Sequence, residues 1–559
     1  MSIMSGGRFL AETVYGHGID HVFFVPYIAP RALMEMEKLG IKRVQAHGEK
    51  AAAYMADGYA RIRRGPGICM AQSVGAVNLS AGLQDAFLAS SPVLAITGRQ
   101  VQKHQHRHAY QEVDHSRPFD AVTKYNVLVD HLDQLPLFLR QAFREATTGT
   151  PGPVHLDFAG FLGQEIADRE ADLQVVIEPD FSQLPPFRPK AEASKVREAV
   201  RLLREAARPV IVAGGGVTAS DAGSELVELV EKLKIPVATS LNAKDQIRYD
   251  HPLLVGVCGQ YSRECANRAV AESDLVFFIG SQAGGMVTND YTIPPSGTRV
   301  MQLDINASEL GRNFPLTLGL QGDVRASLKS MIDEAEPVTQ RDPWINRIQA
   351  LVSEWRQGVA PEVESNREPM MPQQLCGELT EYLPEDAILV SDTGHSGIWT
   401  GTMVDLKYPE QRYIRCAGSL GWGLPAAIGA KAAAPERPVM CFTGDGGIWW
   451  HLSELESALK AGIPTVTVIN NNHSLNQEQG GVESTYGGRT TGSDELWLFP
   501  ETDFAGIAKS MGCFGVTVNK PSELPTALDQ AFADGRPAVV DVKTHLEGIA
   551  PRAWAPPEK

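Results

Sequence analysis

Cysteine is scarce and carries no pattern. Cys69, Cys258, Cys265, Cys376, Cys416, Cys441 and Cys513 are scattered along the chain, and no two are spaced as C-x-x-C. An odd, dispersed set excludes a disulfide framework and a thiolate zinc site, and reads as reduced thiols in a cytoplasmic protein. No stretch of about 18 apolar residues occurs, so no transmembrane helix is expected. Met1 to Gly18 lacks the long apolar core of a signal peptide. Positive charge is also short: 51 Lys and Arg stand against 67 Asp and Glu, for a formal net charge of −16. That balance argues against a nucleic-acid or anionic-membrane surface, both of which need positive patches. It leaves room for an anionic small-molecule substrate, because a few local basic groups outweigh a distant negative surface. Short-period repeats and low-complexity tracts are lacking too.

What the chain does have is alternation. Its 559 residues allow about three domains. Short apolar runs alternate with amphipathic stretches in three segments, the pattern of parallel sheets wrapped by helices. In the first segment Val22–Val25, Ile41–Gln45, Gly67–Gln72, Val93–Thr97 and Val154–Phe158 read as strands, and Glu49–Arg63 as a helix. In the second, Pro209–Ala213 ends in Gly214-Gly215-Gly216, and Ile235–Ala238, Leu275–Ile279 and Arg299–Leu303 follow. In the third the strands are Ala387–Ser391, Arg412–Cys416, Pro438–Thr443, Thr465–Asn470 and Ala538–Val542. Proline-bearing stretches around Glu178–Pro186 and from Glu336 to Gln373 read as linkers. The expected fold class is α/β, with three doubly wound parallel-sheet domains over residues 1–165, 190–336 and 370–548.

The strongest local signal lies in the third segment. The apolar run from Val439 ends in Gly444-Asp445-Gly446-Gly447, a helical pattern over Trp450–Ala461 follows, and the next strand ends in Asn470-Asn471-Asn472. Glycines let a backbone approach phosphate oxygens, and the start of a helix adds free N–H groups. Asp445 offers a hard carboxylate oxygen and Asn472 a side-chain carbonyl, the ligands Mg2+ accepts alongside phosphate and water. Both would stand at carboxyl ends of strands, where open α/β sheets bind ligands.

This pattern, Gly-Asp-Gly followed some two dozen residues later by an Asn pair, resembles the signature of thiamine-diphosphate-dependent enzymes. Residues His47–Arg61 resemble the same family's activating-glutamate helix, with Glu49 at the glutamate. Ser80–Gly98, Ala109–Asp114, Thr123–Val127 and Gly418–Ala430 look like blocks of the acetohydroxyacid synthase branch. Pyruvate oxidases and benzaldehyde lyases belong to the same group, and the resemblance spans nearly the whole chain. It implies a pyrimidine-binding, a central and a diphosphate-binding domain, with thiamine diphosphate and Mg2+ held between two subunits. A homodimer is then the minimum and a homotetramer common. By the same resemblance Glu49 activates the cofactor, and Asp445, Asn472 and the main chain of Ser474 hold the metal. Gly444, Gly446, Gly447, Thr393, Gly394, His395, Leu475, Asn476 and Asn78 meet the cofactor. Gly418 accepts the pyrimidine amine, and Leu420 props the cofactor in its bent form. Gln111 and Gln72 orient the substrate carbonyl. Val25, Tyr27, Ile28, Ala29 and Gln477 line the substrate pocket.

Three departures stand out. Pro26 is followed by Tyr27-Ile28-Ala29, where the synthases have a glycine pair. The run Leu475 to Gly481 is polar and lacks their tryptophan. The loop Ser281–Met286 lacks the arginine of flavin-binding members, which makes FAD the less favoured expectation for the central domain. The leading expectation is a carboligase or decarboxylase, acetolactate-synthase-like, that acts on a 2-oxo acid through an enamine. The alternatives are a benzaldehyde-lyase-like enzyme cleaving acyloins or 1,2-diketones, a flavin-linked 2-oxo acid oxidase, and a non-catalytic thiamine-fold binding protein.

Overall fold

The computed structural model describes residues 2–557. It contains three parallel six-stranded sheets, each wrapped by helices, so the expected three doubly wound domains are present. Their strands are short runs of Val, Ile, Leu and Phe because both faces are covered. Leu275–Ile279 and Pro209–Ala213, for example, are buried along their whole length.

With strands numbered in chain order within each sheet, the first and third sheets share the order 2-1-3-4-6-5. In the first the strands are His21–Val25, Lys42–Gln45, Gly67–Ala71, Val93–Arg99, Tyr125–Val129 and Val154–Ala159. In the third they are Ile388–Ser391, Arg412–Arg415, Val439–Gly444, Val466–Asn471, Phe514–Val518 and Ala538–Lys543. The middle sheet has the order 3-2-1-4-5-6, that of dinucleotide-binding folds. Each sheet reverses direction beside its first strand, and ligands of open sheets bind in the crevice at such a point.

Several elements differ from the sequence expectation. Ser2–Ser5 pairs antiparallel with Glu170–Leu173, which carries the first domain past residue 165. Strands Tyr125–Val129, Leu254–Val257, Leu318–Gln321 and Phe514–Val518 were not anticipated, and all lie at or next to a sheet edge, where partial exposure breaks the apolar run. The expected helix Trp450–Ala461 starts only at Glu454, after the short helix Asp445–Ile448 and a turn that leaves Trp449 and Trp450 exposed. The two linkers are docked rather than free. Glu178 pairs with Arg140 and Arg144, and Phe181 is buried. The helix Asp342–Val363 inserts Trp344, whose indole N–H donates to the Pro209 carbonyl at 3.0 Å.

The largest contact between the first and third domains is one helix crossing. Glu49–Arg63 carries Glu49 in its first turn and Arg61 and Arg63 in its last, which complements the helix dipole. Alanines and Gly58 on this helix face Gly423–Ala433, itself rich in Gly and Ala. A Cβ at Gly58 would stand 2.1 Å from the Ala426 carbonyl oxygen, and one at Gly429 would stand 1.8 Å from that of Met55. The backbones therefore touch, and no side chain fits between them. Gly58→Ala and Gly429→Ala are each expected to lower stability by about 1–3 kcal/mol through overpacking, read as an earlier thermal unfolding transition. Alanine at the open Gly481, on an exposed helix, should not do so.

Candidate active site

The diphosphate half is assembled by sheet register. Strand Val439–Gly444 pairs with Val466–Asn471, with Gly444 opposite Asn470, so the Asp445 turn and the Asn472 turn leave the sheet side by side. The Asp445 carboxylate accepts from Gly446 N at 2.8 Å and from Ser474 N at 2.9 Å. The Ser474 hydroxyl donates to Asn472 Oδ1 at 2.8 Å. Asp445, Asn472 and Ser474 thus form one buried cluster. Burial pushes the Asp445 carboxyl up to about 7, against the pull of its backbone donors. A buried carboxylate with spare lone pairs and no cation beside it suits a divalent ion. A Cβ at Gly446 would meet the Leu475 side chain at 2.5 Å, and one at Gly447 would meet Thr443 Oγ1 at 2.5 Å, so an added side chain would have to displace its neighbours in the cradle.

Opposite this turn runs the loop after Ile388–Ser391. Gly394 has φ +66° and precedes the helix His395–Thr402. Gln477 Oε1 lies 3.2 Å from where a Gly394 Cβ would stand, and Asn476 donates to the Leu546 carbonyl at 2.6 Å. Desolvation holds the His395 imidazole down at about 4, so this ring is neutral at pH 7. Buried polar atoms without partners cluster here: His395 Nδ1, Asn476 Oδ1 and Gln479 Oε1. Thr393 is half-buried in the same loop, Leu420 is half-buried beyond it, and Gly418 faces open space.

Asp392 was not anticipated. It is buried and accepts from Thr393 N at 2.8 Å, Gly421 N at 3.0 Å, Gly423 N at 3.1 Å and the Thr443 hydroxyl at 3.2 Å. Burial raises its carboxyl to about 6. One side chain thus ties together the three turns expected around the cofactor. Its only sequence signal is an Asp at a strand end before Thr-Gly.

The pyrimidine half sits at the matching point of the first sheet. Glu49 is half-buried at the start of its helix, and Asn78 Nδ2 donates to its Oε2 at 3.3 Å. A Cβ at Gly75 would lie 2.4 Å from Glu49 Oε1, so this glycine, also not anticipated, makes the space for the carboxylate. Gln72 precedes that turn, and the Ser73 hydroxyl donates to the Gln111 carbonyl at 2.6 Å. Gln111 has φ +58°, and its side-chain Oε1 is buried without a partner. Strained backbone and an orphaned acceptor at one residue mark a site under functional constraint. Below it, His115 Nδ1 meets Asp157 Oδ2 at 3.1 Å, and Thr97 donates to Asp157 Oδ1 at 2.7 Å.

The residues expected at the substrate pocket are placed differently from one another. Ile28 and Ala29 are fully buried in the first domain's core, where Ala29 opens the helix Pro30–Lys38. Apolar residues beside a packed helix gain more from the core than from the crevice. Val25 is also buried, and Tyr27 alone of that run stands out, 55% exposed. His104, His106 and His108 lie exposed on the loop before Gln111.

A cavity of about 990 Å³ opens at the reversal point of the middle sheet. Gly214–Gly216, Gly280–Gly285 and Asp304 line it, and Arg415 reaches it from the third domain. Burial raises the Asp304 carboxyl to about 6.

Gly75→Ala is expected to displace the Glu49 carboxyl by about an ångström and to cut any turnover that depends on it by roughly 100-fold, measured as kcat under saturating cofactor. The fold should survive, because the clash is with a side-chain end.

Three family models match the chain in sequence: the N-terminal TPP binding domain of thiamine pyrophosphate enzymes at residues 4–117, the central domain at 196–331 and the C-terminal TPP binding domain at 392–542. The chain is 32% identical over 552 residues to a probable acetolactate synthase large subunit of Methanocaldococcus jannaschii, an alignment covering 96% of this chain and 92% of the relative. A probable acetolactate synthase large subunit of Methanococcus aeolicus is 31% identical, covering 88% of this chain and 84% of its own length. The acetolactate synthase large subunit of Corynebacterium glutamicum is 29% identical, covering 96% and 86%. With all three domains matched and relatives above 30% identity along nearly its whole length, the chain belongs to the thiamine pyrophosphate enzymes.

Proposed function

We propose that this protein is a thiamine-diphosphate- and Mg2+-dependent carboligase or decarboxylase that acts on a 2-oxo acid, as an acetolactate synthase does. The carrying observation is the pair of half-sites: Asp445–Ser474–Asn472 at one sheet reversal and Glu49–Gly75–Asn78 at the other. Bound thiamine diphosphate would supply a nucleophilic carbon that attacks a carbonyl and stabilises the resulting negative charge. Asp445, Asn472 and the Ser474 carbonyl would hold Mg2+, and the N–H groups of Gly446 and Gly447 would meet phosphate oxygens. Leu420 would support the bent cofactor and Gly418 would accept its amine. Glu49 would hold a proton at the pyrimidine ring nitrogen, and Gln111 and Gln72 would donate to the substrate carbonyl.

The site would be completed by a second copy of the chain. Within one chain the Gly418 loop is tied through Asp85 to Arg61, twelve residues along the helix that begins at Glu49. At 1.5 Å per residue that is roughly 18 Å. Glu49 of one chain would therefore serve the diphosphate half of its partner, with Val74, Val77, Trp449 and Trp450 as exposed apolar surface for that contact. A homodimer follows, and a homotetramer would pair two of them. All seven cysteines are free and buried, which fits the reducing cytoplasm.

A second reading, cleavage of acyloins or 1,2-diketones, draws on the exposed Tyr27 and the polar Gln477 beside Gly394. With pyruvate, thiamine diphosphate and Mg2+, pyruvate loss with acetolactate or acetoin appearing by NMR supports the first reading. Cofactor binding without pyruvate consumption sinks it and favours the second. Glu49→Gln should lower kcat by about 100-fold or more with little change in cofactor affinity.

For the central cavity we favour a domain without flavin. Its size would admit a dinucleotide, but the loop 281–286 brings no basic residue to it, and Arg188 is engaged by Asp323. The protein released from denaturant should show no absorbance near 450 nm, and stoichiometric flavin would refute this assignment.

A further inference from the structure

The shared strand order of the first and third domains has a counterpart in how the chain holds its own half-sites. Glu454 is the first residue of the helix after the third strand of the third domain, and it is 1% exposed. Its Oε1 accepts from His47 N and Gly48 N, each at 3.1 Å, and its Oε2 accepts from the Ser457 hydroxyl at 2.7 Å. Those two N–H groups immediately precede Glu49. Gly48 is the N-cap of the Glu49–Arg63 helix and brings no side chain of its own. A glutamate accepting from an N-cap N–H is one half of a capping box, normally supplied from within the same helix. Here it arrives from more than 400 residues away.

The reverse arrangement is also present. Asp85 lies on Ala76–Leu88, the helix after the third strand of the first domain. It is fully buried and accepts from Ala417 N at 2.8 Å, Gly418 N at 3.2 Å and Ser419 N at 3.1 Å, with Arg61 alongside at 3.2 Å. In both cases an acidic residue following the third strand of one domain grips the backbone just past the second strand of the other. Each gripped segment is the one that carries the working residues: Glu49 in one case, Gly418 and Leu420 in the other. A carboxylate accepting several backbone N–H groups at once fixes the turn that carries them.

We propose that Glu454 is the positioning residue for Glu49, and that Asp85 is its counterpart for the Gly418–Leu420 loop, so that each domain holds the other's half of the site. This rests on the thiamine reading. It adds that placing the activating carboxyl depends on a residue touching neither cofactor nor substrate.

The test reads activation without a substrate: exchange of the C2 proton of bound thiamine diphosphate with deuterated solvent, followed by NMR on the full chain with Mg2+. Glu454→Ala should slow exchange by ~10–100-fold, the range for loss of a residue that orients a working group, with cofactor Kd within about 3-fold. Glu454→Gln keeps an oxygen acceptor and should recover most of that rate. A purely structural role would instead lower thermal stability and cofactor affinity together. Wild-type exchange in Glu454→Ala, or equal loss in both variants, overturns the proposal. If Glu454→Ala does not fold, Ser457→Ala decides, because it only frees the Glu454 carboxylate. A several-fold slowing supports the brace, and an unchanged rate overturns it. Asp85→Asn should weaken cofactor binding and exchange together, and a variant that binds and exchanges as wild type refutes its role. Wild-type protein that exchanges C2 but ignores pyruvate would sink the proposed reaction and leave this inference standing. Wild-type protein that does not bind the cofactor would sink the thiamine reading itself.

Discussion

Backbone contact between Glu49–Arg63 and Gly423–Ala433 is the constraint on which the rest of the molecule depends. Gly58 and Gly429 let the two helices meet with no side chain between them, and alanines fill the flanks. That crossing sets where the first domain stands against the third. It brings the turn at Glu454 to the start of one helix and Asp85 to the loop before the other. A larger separation would put both sets of hydrogen bonds out of reach.

Buried carboxylates finish what the helix crossing begins. Asp85, Asp392, Asp445 and Glu454 are all nearly inaccessible, and each accepts backbone N–H groups from a turn that bears on the site. Desolvation pushes each of them up, while the hydrogen bonds pull the other way. Turns at strand ends leave N–H groups that no sheet neighbour takes, and a buried acceptor is the economical answer. Asp445 differs from the others in standing within a cluster of oxygen donors in a glycine cradle, which is what a metal needs and a brace does not.

Much of this was legible in the chain. The strands in the middle of each sheet are apolar runs bounded by glycine or polar turns, so their positions followed from pattern alone, as Pro209–Ala213 and Leu275–Ile279 illustrate. Four of the six edge strands were missed because half-exposed residues such as those of Tyr125–Val129 do not stand out. Asp445 and Asn472 stood out because a glycine-flanked aspartate and an asparagine run, each at a strand end, form a motif of fixed spacing. Gly75 and Asp392 were not, since a lone glycine or aspartate at a strand end has many uses. Tyr27, Ile28 and Ala29 show the limit directly: three adjacent residues read alike in sequence, yet one is exposed and two lie in the core.

The α/β class and its three doubly wound domains were readable from the amino acids alone, because periodicity and short motifs are local properties. Tertiary structure alone decided which turns face each other, since Glu454 and Gly48, or Asp85 and Gly418, are separated by more than 300 residues. It also decided how closely those turns approach, 3.1 Å between the Glu454 carboxylate and Gly48 N. Such distances follow from how sheets twist and helices cross, and no local pattern encodes them.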